Sequence, residues 1–305
     1  MRPSSIPPIS VLLPVHNSQR YVRAAVESVL NQTFSEFELL AIDDGSTDRS
    51  LSILRELAAK DRRLNVVSRE NQGLVATLNE LITLARGHYL ARMDSDDICR
   101  PQRFQKQVAY LDSHPECVAV GTRCLVIDPE GLPIIEYQNE TTHDEIDAMH
   151  MWEDCGSRMC HPSVMMRRKE VVQVGAYDER YRFAEDLDLF LRLAEIGKLA
   201  NLPEVLLEYR QHLGSVCYTY NNEQRDISRK AVAAAKERRR ITGGNVKLGW
   251  ISNPESHADI HRHWAWLALS ARNLVTARKH AIHAVVADPF SLENLKILAC
   301  AIRGH

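Results

Sequence analysis

Between residues 9 and 93 the sequence alternates short apolar runs with longer amphipathic segments, and this alternation constrains the fold more than any other feature. Parallel strands need crossover connections of about a dozen residues or more, and those connections are usually helices. The alternation therefore predicts an α/β half built on a parallel sheet. We expect strands at residues 9–13, 37–42, 65–67 and 89–93, and helices at 21–31, 48–60 and 72–85.

Beyond residue 100 the pattern becomes mixed. It predicts a helix at 102–113, a hairpin that turns at 128–131 and a further helix at 184–196. In the last of these, Asp186 stands beside an apolar face at helical spacing. That helix is therefore expected to pack against the core while it presents a carboxylate.

After Tyr220 the sequence becomes rich in alanine and basic residues, which indicates a boundary between a domain at 1–220 and a helical C-terminal region at 221–305. Within that region several residues fall at the spacing of a tetratricopeptide helix pair, namely Trp264, Ala265, Ala268, Ala277, Ala281, Ala284 and Pro289. The match resembles one repeat, and an ordinary helical hairpin explains it equally well. Because such repeats are stable chiefly by stacking, the pair is expected to dock on the α/β body, on preceding helices or on another subunit. Self-association or a protein partner at these helices stays open.

The charge balance and the cysteines exclude several classes of protein. With 38 Lys and Arg against 40 Asp and Glu the net charge is −2, so there is no basic excess to bind nucleic acid. Seven scattered cysteines fit a reducing compartment, and neither a secretory signal nor a run of about 20 apolar residues is present. We therefore expect a cytoplasmic protein. The basic run at 238–240 is expected to be a solvated helix face, with peripheral contact at the inner face of a membrane as the alternative.

Three polar clusters follow expected strands, at residues 14–17, 43–48 and 94–97. In open α/β sheets ligands bind beyond the carboxyl ends of the strands, so one site is expected to collect all three clusters. In the third cluster Asp94 and Asp96 repel each other on a short turn unless a cation joins them. Their position favours a Mg²⁺ or Mn²⁺ site for a diphosphate over a solvated turn.

The second cluster allows two interpretations. Gly45 fits a turn before a helix that Ser46 or Thr47 caps, and this accounts for the residues after the acids. It does not account for Asp43 and Asp44 at the end of an apolar strand. Carboxylates there favour recognition of a base or of ribose hydroxyls.

These clusters belong to a longer series of motifs in a fixed order. The series comprises Pro14-Val15-His16-Asn17, Glu27-Ser28-Val29-Leu30-Asn31-Gln32-Thr33, Asp43-Asp44-Gly45-Ser46-Thr47-Asp48, Asn71-Gln72-Gly73, Asp94-Ser95-Asp96-Asp97, His161-Pro162-Ser163, Gly175-Ala176-Tyr177-Asp178-Glu179, Ala184-Glu185-Asp186-Leu187-Asp188-Leu189 and Tyr209-Arg210-Gln211-His212. Together the motifs resemble glycosyltransferase family 2, the inverting nucleotide-sugar transferases of the Rossmann-like GT-A fold. The likeness covers roughly residues 9–215, and the ordered set is far more specific than any one motif.

The resemblance implies roles for individual residues. It implies that Asp96 ligates Mn²⁺ or Mg²⁺, that Asp94 shares the ion or contacts the ribose or donor sugar, and that Asp186 is the catalytic base. Arg210 and His212 are implied to reach the diphosphate or the metal. The residues implied to hold the nucleotide are Pro14, His16, Asn17, Asp43, Asp44, Asn71 and Gly73.

The activity that the resemblance implies is transfer of a hexose or N-acetylhexosamine from a UDP-sugar, with inversion, to a hydroxyl of a glycan or lipid-linked acceptor. Synthesis of cell-envelope or surface polysaccharide is the expected setting. Two alternatives remain: a noncatalytic module that binds sugar nucleotides or glycans, and a sugar-nucleotide nucleotidyltransferase. The second needs a Gly-rich basic loop after the first strand, which residues 14–17 do not provide. A dehydrogenase is disfavoured because no Gly-x-Gly-x-x-Gly follows that strand.

Overall fold

The computed structural model describes residues 6–137, 140–152, 157–242 and 256–305. These residues form one nine-stranded mixed sheet with helices packed against it, so the predicted α/β class is confirmed. The strands are β1 (Ile9–Val15), β2 (Phe37–Asp44), β3 (Leu64–Arg69), β4 (Tyr89–Arg92), β5 (Ile98–Cys99), β6 (Cys117–Ile127), β7 (Pro133–Tyr137), β8 (Met165–Arg167) and β9 (Lys198–Arg210). The helices are α1 (Val22–Leu30), α2 (Ser50–Ala58), α3 (Leu74–Leu84), α4 (Arg103–Ser113), α5 (His143–His150), α6 (Arg168–Gln173), α7 (Glu185–Leu193), α8 (Val216–Thr219), α9 (Asn221–Arg238), α10 (His257–Ser270), α11 (Leu274–Ala287) and α12 (Leu292–Arg303).

The first four strands form the predicted parallel layer. The strand order is β3-β2-β1-β4-β8-β6-β9-β5, with β7 paired to β6, and the pairs among β1 to β4 are all parallel. β2 runs two residues further than expected, so that Asp43 and Asp44 lie inside the strand. The carboxyl ends of β1, β2 and β4 consequently meet along one edge of the sheet, where the polar clusters follow.

Both faces of this layer are buried, which explains why its strands are continuous apolar runs. On one face Val11 and Leu39 pack against Val26 of α1 and Leu54 of α2. On the other face Leu12, Leu40 and Ile42 pack against Leu78 and Leu81 of α3 and against Phe190 of α7. The helix carrying Asp186 is thereby fixed against the same sheet that carries the polar loops.

The second half of the sheet is mixed. β4 pairs with β8 in the antiparallel direction, and β6 pairs with β8 and β7 on one edge and with β9 on the other. The predicted hairpin turn is confirmed between β6 and β7, where Asp128 N donates to Leu132 O at 2.9 Å. Gly131 supplies a φ of 89° that a side chain would disfavour. The strands β8 and β9 were not predicted from the sequence.

The C-terminal helices pack on the body of the protein. Ala231 and Val232 of α9 contact Leu187 and Leu191 of α7. The predicted helix pair is confirmed as α10 and α11, and its fully buried Trp264 lies in one apolar cluster with residues of the β6–β7 hairpin. Docking on the α/β body, one of the expected arrangements, is therefore found. The domain boundary near residue 220 stays a prediction.

The basic run at the end of α9 differs from its expectation. Arg239 is only 15% exposed and pairs with Asp147 at 2.8 Å, while Arg238 pairs with Glu195 at 2.9 Å. Two of the three arginines are thus engaged in ion pairs on the protein, because α9 lies against α7 and close to α5, and the run is not a fully solvated face. Over the ranges that the structure describes, no helix is long and apolar enough to cross a bilayer.

Candidate active site

The loops after β1 and β2 are joined by reciprocal hydrogen bonds. Asn17, which has a φ of 48° that asparagine tolerates, accepts from Thr47 N at 2.9 Å, and its own N–H donates to Ser46 Oγ at 3.0 Å. His16 Nδ1 donates to Asp44 O at 2.8 Å. Because Ser46 and Thr47 are bound to Asn17, the helix cap expected from them is wrong. Asp48 Oδ1 accepts instead from Ser50 N, at the start of α2.

Asp44 is a buried anchor for the loop that follows β3. Its carboxylate accepts from the backbone N–H groups of Gln72 at 2.8 Å and Gly73 at 2.9 Å, and pairs with Arg69. Asn71 Nδ2 donates to the Asp44 carbonyl at 2.9 Å. The structure therefore brings together Asp44, Asn71 and Gly73, as predicted. Arg69 was missed, although it ends β3 directly opposite Asp44 in the sheet register.

The other two residues predicted on this side are less accessible. Asp43 is 1% exposed, and its Oδ2 accepts from Ser68 Oγ at 3.0 Å. Pro14 lies inside β1, buried and opposite Ile42 of β2. Both residues shape the strand ends from within, while His16 and Asn17 form the exposed part of the loop.

The loop after β1 also reaches the loop after β4. Ser18 Oγ and Ser95 Oγ lie 2.6 Å apart, within hydrogen-bond distance. Since the Ser18 N–H donates to Ser50 Oγ at 2.8 Å, the start of α2 belongs to the same network. All three polar clusters predicted from the sequence are thus tied together at one edge of the sheet.

Asp94, Asp96 and Asp97 form a cluster of carboxylates whose ligand oxygens all lie within 4.8 Å of one another. Arg210 N donates to Asp97 Oδ1 at 2.7 Å, but the buried Oδ2 has no hydrogen-bond partner among the residues described. Burial, followed by repulsion from Asp96 and Asp94, raises the pKa of Asp97 well above its usual range. Burial also raises the pKa of Asp94, although Arg92 opposes the shift.

These acids fit a hard divalent cation. Mg²⁺ and Mn²⁺ prefer carboxylate oxygens, and a cation would satisfy the unpaired Asp97 oxygen and relieve the repulsion that raises these pKa values. Asp94 and Asp96 were expected in this role, whereas Asp97 was missed. Asp97 is the fourth residue of the Asp94-Ser95-Asp96-Asp97 motif, but nothing in the sequence indicates that its side chain points into the protein.

His212 and Arg210 meet the acid cluster from the end of β9. His212 Nε2 lies 3.2 Å from Asp96 Oδ2, so the predicted ligand is adjacent to the cluster. Arg210 Nε donates to the Asp96 carbonyl at 2.7 Å, and its guanidinium lies 4.7 Å from the ring centroid of Tyr21. Arg210 is therefore engaged with the backbone and the tyrosine, and does not project freely toward a diphosphate.

Asp186 lies in the first turn of α7, and its Oδ1 accepts from Leu187 N at 2.8 Å. Burial raises the pKa of Asp186 to about 6, while the Leu187 N–H and the positive charge of Arg92 oppose the shift. Burial and the neighbouring Asp186 raise the pKa of Glu185 to about 7. A carboxylate with a pKa near 6 is largely ionised at neutral pH and can still accept a proton, as a general base must.

Arg92 is a buried cation beside the acid cluster. Its side chain is 2% exposed and pairs with Asp94. The positive charge of Arg92 opposes the burial that raises the pKa values of Asp94, Asp97 and Asp186. Arg92 was missed because a basic residue at the end of an apolar strand has no motif of its own.

The fold can be compared with solved structures now that its geometry is known. It is similar to a mannosyltransferase from Pyrobaculum calidifontis in complex with GDP-Man and Mn²⁺, with a TM-score of 0.56 and 19% identity over 98% of this chain and 81% of the other. It is also similar to TarS of S. aureus in complex with UDP-GlcNAc, with a TM-score of 0.53 and 17% identity over 96% and 79% of the two chains. A longer TarS chain is covered to 55%. These likenesses establish the GT-A fold.

Sequence comparisons define the family. Residues 10–175 match the model of glycosyl transferase family 2. The chain is 35% identical to the putative glycosyltransferase EpsE of Bacillus subtilis over 68% of its own length and 74% of EpsE. It is 33% identical to the O-antigen biosynthesis glycosyltransferase WbnJ of Escherichia coli, covering 67% and 80%. The chain belongs to glycosyl transferase family 2.

Proposed function

We propose that this protein transfers one hexose or N-acetylhexosamine from a UDP-sugar, in the presence of Mn²⁺ or Mg²⁺, to a hydroxyl group of a glycan or lipid-linked acceptor, with inversion. The observation that carries the proposal is the cluster of Asp94, Asp96 and Asp97, in which Asp94 pairs with the buried Arg92. Asp186 stands in the first turn of α7, a helix that packs on the same sheet. A sugar nucleotide already has a good leaving group. Charge neutralisation at the diphosphate and one base for the attacking hydroxyl are therefore sufficient for direct displacement.

The residues take separate parts in this chemistry. Asp94, Asp96 and Asp97, with His212 beside them, would hold the divalent cation, which supplies charge neutralisation at the departing diphosphate. His16, Asn17 and the loop that Asp44 anchors would hold the nucleoside. Asp186 would accept the proton of the acceptor hydroxyl. Its pKa of about 6 keeps it mostly unprotonated at neutral pH.

The biological setting is proposed from the relatives. WbnJ is named for O-antigen biosynthesis, and a relative from Erwinia amylovora that is 32% identical is named for amylovoran biosynthesis. Both names favour synthesis of a surface polysaccharide. A lipid-linked acceptor would bring the enzyme to the inner face of the membrane as a peripheral, cytoplasmic protein.

The test is a panel of sugar nucleotides, scored by metal-dependent release of the nucleoside diphosphate with and without candidate acceptors. GDP-sugars belong in the panel because one structural neighbour was solved with GDP-Man and another with UDP-GlcNAc. Asp186→Asn should slow transfer by about 10²–10⁴-fold while leaving binding of the nucleotide intact. The matched control is Glu179→Gln, which alters an exposed acid shortly before α7.

Two outcomes would overturn the proposal. Turnover by Asp186→Asn at the wild-type rate would remove the proposed base. Binding of a UDP-sugar without any turnover in the wild type, with all acceptors tried, would favour a noncatalytic sugar-nucleotide binding module instead.

A further inference from the structure

The C-terminal helices contact the body of the protein through a buried carboxylate in the β6–β7 turn. Asp128 is 0% exposed, and all of its side-chain oxygens are engaged. Oδ1 accepts from Glu130 N at 3.0 Å and Leu132 N at 2.8 Å. Oδ2 accepts from Lys279 Nζ at 2.5 Å and His280 Nε2 at 3.1 Å, both on α11. The turn is therefore held on one side by the C-terminal helices.

On its other side the same turn holds Arg210. The Arg210 Nη1 group donates to the carbonyl of Asp128 at 3.0 Å and to that of Pro129 at 3.2 Å. The rest of Arg210 contacts the acid cluster, because its Nε donates to the Asp96 carbonyl and its backbone N–H donates to Asp97 Oδ1. One arginine thus spans the distance between the turn and the proposed cation site.

A second contact reaches the adjacent residue of the same segment. Trp264 on α10 donates from Nε1 to Gln211 Oε1 at 2.9 Å, and it lies 2.7 Å from the Tyr218 hydroxyl. The Tyr218 hydroxyl donates to Gln211 Oε1 at 2.7 Å. Gln211 lies between Arg210 and His212 in the chain. The C-terminal helices therefore contact the segment at residues 210–212 twice, at Arg210 through the β6–β7 turn and at Gln211 through Trp264.

We propose that Asp128 and Trp264 are positioning residues of the transferase site. They hold residues 210–212 so that Arg210 fixes the loop carrying Asp96 and Asp97 in the geometry needed for a cation and a diphosphate. The inference rests on the proposed function and extends it to the C-terminal helices. These helices belong to the functional unit, although the family match ends at residue 175.

The polar character of the junction supports a positioning role over simple docking. Replacing buried ion pairs by apolar packing is often neutral or stabilising, so adhesion alone does not require Asp128, Lys279 and His280. Hydrogen bonds add direction, because each donor must point at its acceptor. Directional restraint is what three mutually repelling carboxylates need, since they would otherwise separate.

The experiment compares Trp264→Phe and Asp128→Asn with the wild type and with Trp266→Phe. Trp264→Phe keeps an aromatic ring and removes the N–H donor together with part of the indole volume, and Trp266→Phe removes the same atoms elsewhere on the helix. Trp266 lies on the same helix and is partly buried, which makes it a matched control. The first readout is hydrogen–deuterium exchange of peptides spanning residues 94–100 and 206–212 in metal-free protein. The second is calorimetric affinity for Mn²⁺ with UDP and with GDP.

We expect exchange in both peptides to become at least about threefold faster in Trp264→Phe and Asp128→Asn, because a lost hydrogen bond is worth roughly a factor of 3–10 in an opening equilibrium. Affinity for Mn²⁺ with the nucleotide should fall by a similar factor. Trp266→Phe should change neither, and melting temperatures identify variants that fail to fold. A double variant with Arg210→Lys should show less than additive loss, since all changes act through Arg210.

The two proposals fail in different ways. Unchanged exchange in Trp264→Phe, in a folded protein, overturns the positioning role whatever the donor is. Faster exchange with unchanged affinity overturns its link to the cation and diphosphate. Failure of the wild type to bind either nucleotide with Mn²⁺ overturns the proposed function, and the exchange experiment still decides whether the helices restrain the loop.

Discussion

Two carboxylates in this protein are equally buried and have opposite surroundings. Asp128 and Asp97 are both 0% exposed. Asp128 receives four hydrogen bonds, two of them from Lys279 and His280, and these contacts hold its pKa below the usual range although burial acts to raise it. Asp97 receives one hydrogen bond from Arg210, and burial with its acidic neighbours raises its pKa. The chain supplies cations to the first carboxylate and leaves the second short of them.

Under the proposed function, this difference in pairing separates a structural acid, Asp128, from a functional one, Asp97. An unpaired buried charge costs several kcal/mol unless something compensates it. Within the described part of the chain that compensation is incomplete around Asp97, and Asp186 and Glu185 have raised pKa values for the same reason, burial. Buried carboxylates with incomplete charge compensation lower the stability of the free protein, and they are expected where a ligand supplies the compensating charge. Under the proposed function, the acid cluster is therefore expected to gain stability when a cation binds.

The largest predicted effect tests whether the underpaired acids are catalytic. Asp186→Asn keeps the size of the side chain and removes the base, so transfer should slow by about 10²–10⁴-fold. Because the lost charge was unfavourable, the melting temperature should stay equal to or above that of the wild type. Steady-state release of the nucleoside diphosphate and thermal melting measure the two quantities. A large loss of stability would place Asp186 with Asp128 among the structural acids.

The second prediction compares the two buried carboxylates directly. Asp128→Ala removes the carboxylate that Lys279 and His280 share, although Lys279 keeps its pair with Glu130, and should lower the free energy of unfolding by roughly 3–5 kcal/mol. Asp97→Asn keeps the acceptor for Arg210 N and removes a repelling charge, so in metal-free protein it should be neutral or stabilising. Urea unfolding of both variants without metal gives the comparison. Equal destabilisation would mean that Asp97 is as fully compensated as Asp128.

The third prediction concerns the stability that Mn²⁺ and UDP add when they bind. Mn²⁺ with UDP should stabilise the wild type by about 2.7 kcal/mol when free ligand is 100 times its dissociation constant. Asp97→Asn should reduce this gain, because one of the three clustered carboxylates loses its charge. Glu130→Gln changes an acid of the β6–β7 turn outside the cluster, and this variant should keep most of the stabilisation by Mn²⁺ with UDP. Differential scanning calorimetry with and without ligand measures the shift; an undiminished shift in Asp97→Asn would exclude Asp97 from the site.

The sequence was sufficient for the half of the site that depends on local pattern. Continuous apolar runs predicted β1 to β4, and the rule that ligands lie beyond strand ends brought Asp44, Asp94 and Asp96 to one edge. It was insufficient where burial depends on distant partners. Arg210 is 113 positions from Asp97, and the two donors to Asp128 are about 150 positions away from it. Nothing in a local motif distinguishes an acid that has such partners from one that lacks them.

The smallest predicted effect is a difference in pH dependence between the two regions. Asp186 binds its proton more tightly in the folded state, with a pKa of about 6 against an ordinary 3.8, so folding is favoured as pH falls from 7 toward 4. Removing this charge in Asp186→Asn should flatten the rise by about 1–2 kcal/mol, a figure reduced because the side chain is partly exposed. Asp128 acts in the opposite direction, since its lowered pKa stabilises the fold above pH 4 and that stability is lost on further acidification. In metal-free protein the stability of the wild type relative to Asp186→Asn should therefore rise as the pH falls from 7 toward 4, and a difference that stays constant would show that burial does not raise the pKa of Asp186.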